Sequence, residues 1–396
     1  MTGLAVASAG KDSGRLRSAL GALLLALVGF VAVRAVVLAW LFITADHRHR
    51  LALSVLTRWD GAWYAGIAAH GYGLILTESG RVMADYAFFP LYPWTEKIAS
   101  RLTGLAPAHA GLLVSAVAGV LAAAGIFAVA NDVLGSRAAV VATVLWAAVP
   151  IGIVQSMAYS ESVFTALAAW SLFAVLRQRW LSAAALACGA GLTRPTGAAV
   201  VAAVLVCAAY SLVVDIRRRR VRSARQSAGM RMLLDRRLAA ILLAPLGTLG
   251  YLAYVDWRRR SLSGYFDVTR GWRNSFDGGA SFARWVYAHL VGPQPVTGLL
   301  LLVGVGLLAF LIVACFRQRQ PLPLIVYVVV LAAIALTTSG FFGSKPRYLL
   351  PAFPLLFPLA AWLSARRAAV TVAVLAGASV VAAVYGANWL LGSGPP

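Results

Sequence analysis

The amino-acid sequence predicts an all-α, polytopic transmembrane protein, and three observations carry that expectation. Hydrophobic residues fill 61% of the 396 positions and charged residues only 12%, whereas soluble domains carry about a quarter charged residues. Apolar runs of roughly 18 residues or more recur along the chain, each long enough to span the hydrocarbon core as a helix. The short alternating segments that build a membrane β-barrel do not occur in it.

The elements follow in order. A first span is expected over Ser18–Ile43; it is too long for a signal-peptide core, and no small-residue cleavage site follows it. A polar segment, Thr44–Ala108, comes next. Further spans are expected to start near Ala110, Arg137, Glu161, Leu181, Pro195, Arg237, Thr297, Pro321, Leu349 and Ala368, which gives about eleven helices of ~20 residues each. Pro195 interrupts the pattern between Leu181 and Val214, so this stretch reads as two short helices or as one kinked helix. A basic segment, Asp215–Arg237, holds the run RRRRVRSAR, and a second long polar segment covers residues 257–296. The whole chain, 1–396, reads as one membrane domain without internal repeats.

The formal net charge is +22. On a soluble chain this would point to nucleic acid. Here the basic residues lie mainly in short turns between spans, where they set orientation and meet lipid headgroups. Membrane lipids, and no nucleic acid, are therefore the expected partners. The basic turns at Arg137, Arg177–Arg179, Asp215–Arg237, Arg317–Arg319 and Arg366–Arg367 are expected inside, together with the N-terminus. The clusters Thr44–Ala108, Gln155–Glu161, Thr193–Thr196, Trp257–Val296 and Thr337–Tyr348 then share the outer side. Cys188, Cys207 and Cys315 lie in or beside spans and show neither a disulfide framework nor zinc-site spacing. The Ala, Val, Leu and Arg bias fits a bacterium with a GC-rich genome, and hence its cytoplasmic membrane.

The most informative stretch is the polar island RWDGAWYAGIAAHGYG, Arg58–Gly73. It places Arg58, Trp59, Asp60, Trp63, Tyr64 and His70 at the edge of a membrane, where a carboxylate must be solvated, paired or used. Asp60 can be the N-cap of a short interfacial helix or a general base among low-dielectric aromatics; the two roles are compatible. His70 suits the C-terminus of that helix. Asp85 precedes YAFFPLYPW, which reads as a rigid interfacial loop entering a helix near Leu91. Glu161, after Tyr159 and Ser160, suits the first turn of the fourth span. Arg194, in LTRPTG, sits at a membrane-embedded turn and needs an anionic partner, for which a lipid phosphate would serve. Lys345 and Arg347, beside Tyr348 in SGFFGSKPRYLLP, run against the expected charge bias and can clasp a phosphate or anchor to headgroups. No HExxH, paired CxxC, P-loop, GxSxG or DxD motif occurs.

The motifs RWDGAWYAGIAAHGY, YAFFPLYP, AYSESVFTALAAWSLF, LTRPTG and KPRYLLPAFPLL occur in an order that resembles the PIG-V-like mannosyltransferases, from about Arg58 to Leu356. These are GT-C glycosyltransferases, and the chain is similar to the actinobacterial type that depends on polyprenyl-phosphate-mannose. The resemblance implies transfer of mannose from that lipid donor, with inversion, to a lipid, glycan, glycolipid or protein hydroxyl on the outer side of the membrane. It implies Asp60 as general base and Arg194, Lys345 and Arg347 beside the donor phosphate, with Arg58, Trp59, Trp63, Tyr64, His70, Asp85, Glu161 and Tyr348 around the substrates. No metal or other cofactor is expected. The alternatives are the same scaffold acting with another lipid-linked sugar, and a polyprenyl-phosphate transporter, which would bind the same headgroup and need no base.

Overall fold

The computed structural model describes residues 3–78, 80–221, 228–340, 342–392 and 394. It is helical almost throughout, and the expected all-α membrane class is borne out. The long helix α1 (Gly3–His47) is followed by the short α2 (Ala52–Leu56) and by α3 (Asp60–His70). An antiparallel hairpin, β1 (Ile75–Glu78) and β2 (Arg81–Ala84), pairs Ile75 with Ala84 and leads into α4 (Leu91–Thr103). Gly104, in the left-handed conformation that glycine adopts most cheaply, ends α4. Then come α5 (Pro107–Leu134), α6 (Ser136–Ala147), α7 (Glu161–Leu176), α8 (Trp180–Gly191), α9 (Gly197–Val221), α10 (Ala228–Leu243) and α11 (Leu246–Arg259). The second long polar segment folds into α12 (Gly264–Gly271) and α13 (Ala280–Val291). The chain continues through α14 (Pro295–Arg317), α15 (Leu322–Thr337), α16 (Lys345–Leu349), α17 (Phe357–Ser364) and α18 (Ala368–Leu390).

All eleven expected apolar stretches are helical, but they are not alike. Six are long and apolar enough to cross a membrane, and a seventh is the broken pair Ser136–Ala147 and Pro150–Ser156, bent by 82°. The other four, Glu161–Leu176, Trp180–Gly191, Leu322–Thr337 and Phe353–Ser364, hold 10–17 residues. A helix of 16 residues reaches only about 24 Å. Hydropathy registers how apolar a stretch is, not where its helix stops, so four of the eleven expected helices are shorter than the ~20 residues expected. At Leu181–Val214 the chain forms two helices, α8 and α9, which pack on one another and on α10. The turn between them is tight: a Cβ on Gly197 would stand 2.6 Å from the Ala190 carbonyl oxygen. Of the basic segment Asp215–Arg237, residues 222–227 lie outside the described residues.

The core is built from small side chains that let helices approach closely. A Cβ on Gly125 of α5 would stand 2.9 Å from the Ala169 Cβ of α7. The broken helix after α6 is held by Arg34 of α1, whose guanidinium donates to the carbonyls of Ala147 and Gly152. Carbonyls freed at a helix end need donors, and a buried arginine supplies them.

Candidate active site

The site begins with a strained residue. Trp59 has φ 52° and ψ −116°, a conformation that a bulky side chain adopts only when its surroundings impose it. It turns the chain so that Asp60 becomes the first residue of α3. Asp60 is therefore not the N-cap; Trp59 holds that position, without a side-chain capping bond. The Asp60 backbone N–H instead donates to the Tyr159 hydroxyl at 3.3 Å.

The Asp60 carboxylate goes to Arg347, whose Nη2 donates to Oδ2 at 2.6 Å. The Arg347 Nε lies 2.8 Å from Oε1 of Glu161, and Arg194 pairs with the same carboxylate. Four charges from α3, α7, the α8–α9 turn and α16 thus form one alternating cluster with no formal net charge. Glu161 is only 1% exposed and each arginine 7%. Burial alone disfavours the charge on Arg347, but Asp60 and Glu161 outweigh it and hold the guanidinium protonated well above its ordinary range. Aromatic rings complete the shell, with Tyr159 and Tyr348 5.0 and 5.9 Å from the Arg347 guanidinium. Ser160, the residue before α7, accepts from Arg194 at 3.3 Å and bonds the Tyr64 hydroxyl at 2.9 Å. Burial pushes the Tyr64 and Tyr159 phenols far above their usual range, so neither is a proton donor of convenience.

This cluster borders a cavity of about 540 Å³. Asp60, Trp59, Trp63, Tyr64, Arg194, Arg347 and Tyr348, all expected from the sequence, line it together with Thr193, Thr196 and Ser344. On the far side, Trp63 stacks on Phe88 at 5.7 Å and meets the edge of Trp272 at 5.1 Å. Arg81, Asn274 and Thr269 bring polar groups to the same wall. Trp272, Asn274 and Arg81 were not anticipated; the only hint was their place in the two long polar segments, which mix glycine with both signs of charge. Glu161 lies behind the lining and reaches the cavity through the two arginines.

Residues 87–262, less than half of the chain, match the family model for dolichyl-phosphate-mannose-protein mannosyltransferase. No curated protein matches in sequence. Among solved structures, the chain is similar to ArnT from Cupriavidus metallidurans bound to undecaprenyl phosphate, at 19% identity and a TM-score of 0.49, over 85% of this chain and 60% of that one. It is also similar to the oligosaccharyltransferase AglB from Archaeoglobus fulgidus in complex with an inhibitory peptide and a dolichol-phosphate, at 12% identity and 0.48, over 96% and 57%. The chain spans less than two thirds of the length of either. The matched region carries Glu161 and Arg194; Asp60 and Arg347 reach the cluster from outside it.

Four expected site residues are placed elsewhere. Lys345 donates to the carbonyls of Ala335 and Thr338, both at 2.7 Å, and faces the rings of Phe282 and Phe342. It caps the end of α15, where a cation is favoured, and does not line the cavity. Asp85 is buried, and its Oδ2 accepts the N–H groups of Gly73 and Leu74 at 2.9 Å each, which fixes the hairpin. His70 is exposed at the far end of α3. Arg58 lies over the Trp59 ring at 4.2 Å and supports that residue from outside the cavity. Among the described residues, no group of three or more His, Cys, Asp or Glu is placed to hold a metal ion.

Proposed function

We propose that this chain is a membrane glycosyltransferase of the GT-C type that transfers mannose from polyprenyl-phosphate-mannose to an acceptor hydroxyl of a lipid, glycan, glycolipid or protein. The observation that carries the reading is the carboxylate of Asp60, held at the wall of a cavity beside two buried guanidiniums. A one-step displacement at a sugar carbon needs one positioned base and a stabilised leaving group. Asp60 takes the proton of the acceptor hydroxyl as that oxygen attacks the anomeric carbon. The bond from the anomeric carbon to the phosphate oxygen breaks with inversion, and the departing phosphate gains charge beside arginine. The family match over residues 87–262 supports the lipid-linked mannose donor.

An outward-facing site is supported by where the basic turns meet. Arg177 pairs with Asp132 at 2.6 Å, and Arg319 lines the same surface hollow. Arg137 donates to the Arg366 carbonyl at 2.8 Å. These groups sit at the ends of α5 and α7 opposite the end that carries Ser115 and Glu161. Positive charge concentrates on the inner face, so the cavity belongs outside, on the cytoplasmic membrane of a bacterium.

The test is Asp60→Asn, assayed with labelled polyprenyl-phosphate-mannose and purified, membrane-reconstituted protein. Loss of a general base lowers turnover by about 10²–10⁴-fold, while the near-isosteric amide keeps the protein folded. Near-normal transfer by Asp60→Asn would refute the assignment of the base.

A further inference from the structure

The connection between α11 and α12 gathers positive charge where an apolar stretch ends. That stretch, Arg236–Arg259, holds 24 residues. In helical form it is about 36 Å long, more than the ~30 Å hydrocarbon core, so its ends reach headgroup depth. The chain there reads WRRRSL, Trp257–Leu262. Trp257 is 72% exposed, Leu262 99% and Phe266 of α12 59%. Apolar side chains so bare are disfavoured in water and favoured in the headgroup layer. Arg258, Arg259 and Arg260 make no ion pair among the described residues. Arg258 and Arg260, with Asp256, Trp257, Ser261 and Leu262, line a surface hollow of about 700 Å³. Asp256 is already committed: its Oδ1 accepts the Tyr265 N–H at 3.0 Å and its carbonyl the Ser261 N–H at 3.1 Å. The Arg258 Nε donates to the Tyr86 hydroxyl at 3.3 Å. Arg260 adopts the left-handed conformation, φ 51° and ψ 39°, which a long side chain takes up only where its surroundings impose it. The hollow is thus held by a fixed loop, with two guanidiniums against one carboxylate.

We propose that this hollow is a binding site for an anionic phospholipid of the surrounding bilayer. The guanidiniums of Arg258 and Arg260 donate to the headgroup phosphate, as charge-assisted bonds favour. Trp257 and Leu262 meet the apolar part of the same lipid, just below its headgroup. Charge complementarity selects an anionic lipid over a zwitterionic one, because each cation near a bilayer surface adds attraction to negative headgroups. The site is separate from the Asp60–Arg347–Glu161–Arg194 cluster and does not depend on the glycosyltransferase reading. It is nevertheless close to the cavity in construction. Tyr265, whose N–H holds Asp256, also lines that cavity. A lipid seated in the hollow therefore braces α12 from the side opposite the cavity and holds this end of the bundle at headgroup depth.

The test is native mass spectrometry of the full-length chain in detergent, titrated with phosphatidylglycerol, phosphatidylcholine, undecaprenyl phosphate and inorganic phosphate. Wild type should retain phosphatidylglycerol in preference to phosphatidylcholine. Arg258→Gln and Arg260→Gln should each weaken that binding about fivefold, the ratio that ~1 kcal/mol per cation at a lipid surface corresponds to. Arg259→Gln removes the same charge from a residue that does not line the hollow, and should leave binding close to wild type. Melting temperatures of the variants establish that each is folded. If Arg258→Gln is destabilised through loss of Tyr86, Arg260→Gln carries the comparison, since its guanidinium makes no hydrogen bond among the described residues. Equal retention of phosphatidylglycerol and phosphatidylcholine by wild type overturns the site. Equal losses from Arg259→Gln and Arg260→Gln show diffuse surface charge and overturn the hollow as its seat. Arginine-dependent binding of undecaprenyl phosphate or inorganic phosphate in preference to phosphatidylglycerol overturns the assignment to a bilayer lipid.

Discussion

Both ends of the α5–α7 pair carry arginine–carboxylate contacts, and the two ends behave as opposites. At one end Arg177 forks onto Asp132 at 2.8 and 2.6 Å, with the arginine side chain 54% exposed. At the other, Arg194 and Arg347 share Glu161, and all three are almost fully buried. Water and salt screen the first pair. Nothing screens the second, whose charges persist in a low-dielectric interior only because each has a partner. A membrane protein can place arginines at the turns between its spans for orientation alone. It has no such reason to bury a four-charge cluster beside a cavity. The difference in solvation, not the residue types, separates the exposed end from the candidate site.

The sharpest way to break this contrast is Glu161→Gln. It leaves two buried guanidiniums with only Asp60 as a carboxylate partner in the cluster. Removing one member of a buried ion pair costs about 3–5 kcal/mol. A large drop in melting temperature is expected, with transfer activity lost in whatever protein remains folded. If Glu161→Gln melts like wild type and keeps its turnover, the cluster is ornamental.

An effect of opposite sign, growing with pH, is expected at Glu96. This carboxyl on α4 is fully buried against α5; a Cβ on Gly111 would stand 2.0 Å from its Oε1. Burial pushes it up to about 9, opposed by the Tyr92 hydroxyl. A carboxyl raised in the folded state favours folding fully only below its unfolded value, ordinarily near 4.5. That contribution is lost progressively as pH rises toward 9. Glu96→Gln cannot ionise. Its melting temperature relative to wild type should therefore rise steadily from pH 5 to pH 9. A difference independent of pH would show that Glu96 is charged in the folded protein.

How much of this was legible in the sequence depends on what adjacency can report. The helical class followed from apolar run length, and Asp60, Glu161, Arg194, Arg347 and Tyr348 were singled out by polarity in greasy surroundings. The cluster they form comes from four separate elements, and adjacency could not show the pairing. Lys345 and Arg347 read as one clasp, but side chains two apart on a helix do not face the same way, and the lysine found the carbonyls of α15 instead. Asp85 read as a site residue; short carboxylates readily satisfy nearby backbone N–H groups. His70 stands ten residues beyond Asp60, about 15 Å along a helix, and the short motif concealed that distance. The shortness of α7, α8 and α15 was hidden for a related reason. Glu161 sits just behind the cavity and Thr193–Thr196 and Thr338 border it, where these helices begin or end, whereas a hydropathy window averages across such boundaries.

The smallest effect belongs to the exposed end, and it is the control on which the contrast depends. Arg177→Gln removes a two-pronged contact whose geometry, read without regard to solvent, looks as good as any in the site. The Asp132 it leaves behind is 19% exposed at the side chain and can be rehydrated. The expected cost is therefore about 0–1 kcal/mol, shrinking further in high salt as the screening length shortens. Turnover should be unchanged, because the end of α7 that carries Arg177 is about 24 Å from the end that carries Glu161. Melting temperature in low and high salt, with transfer assayed on the same preparations, gives both numbers. A salt-independent loss as large as that of Glu161→Gln would mean that both ends of the bundle are held by charge in the same way. Burial would then no longer mark the catalytic cluster.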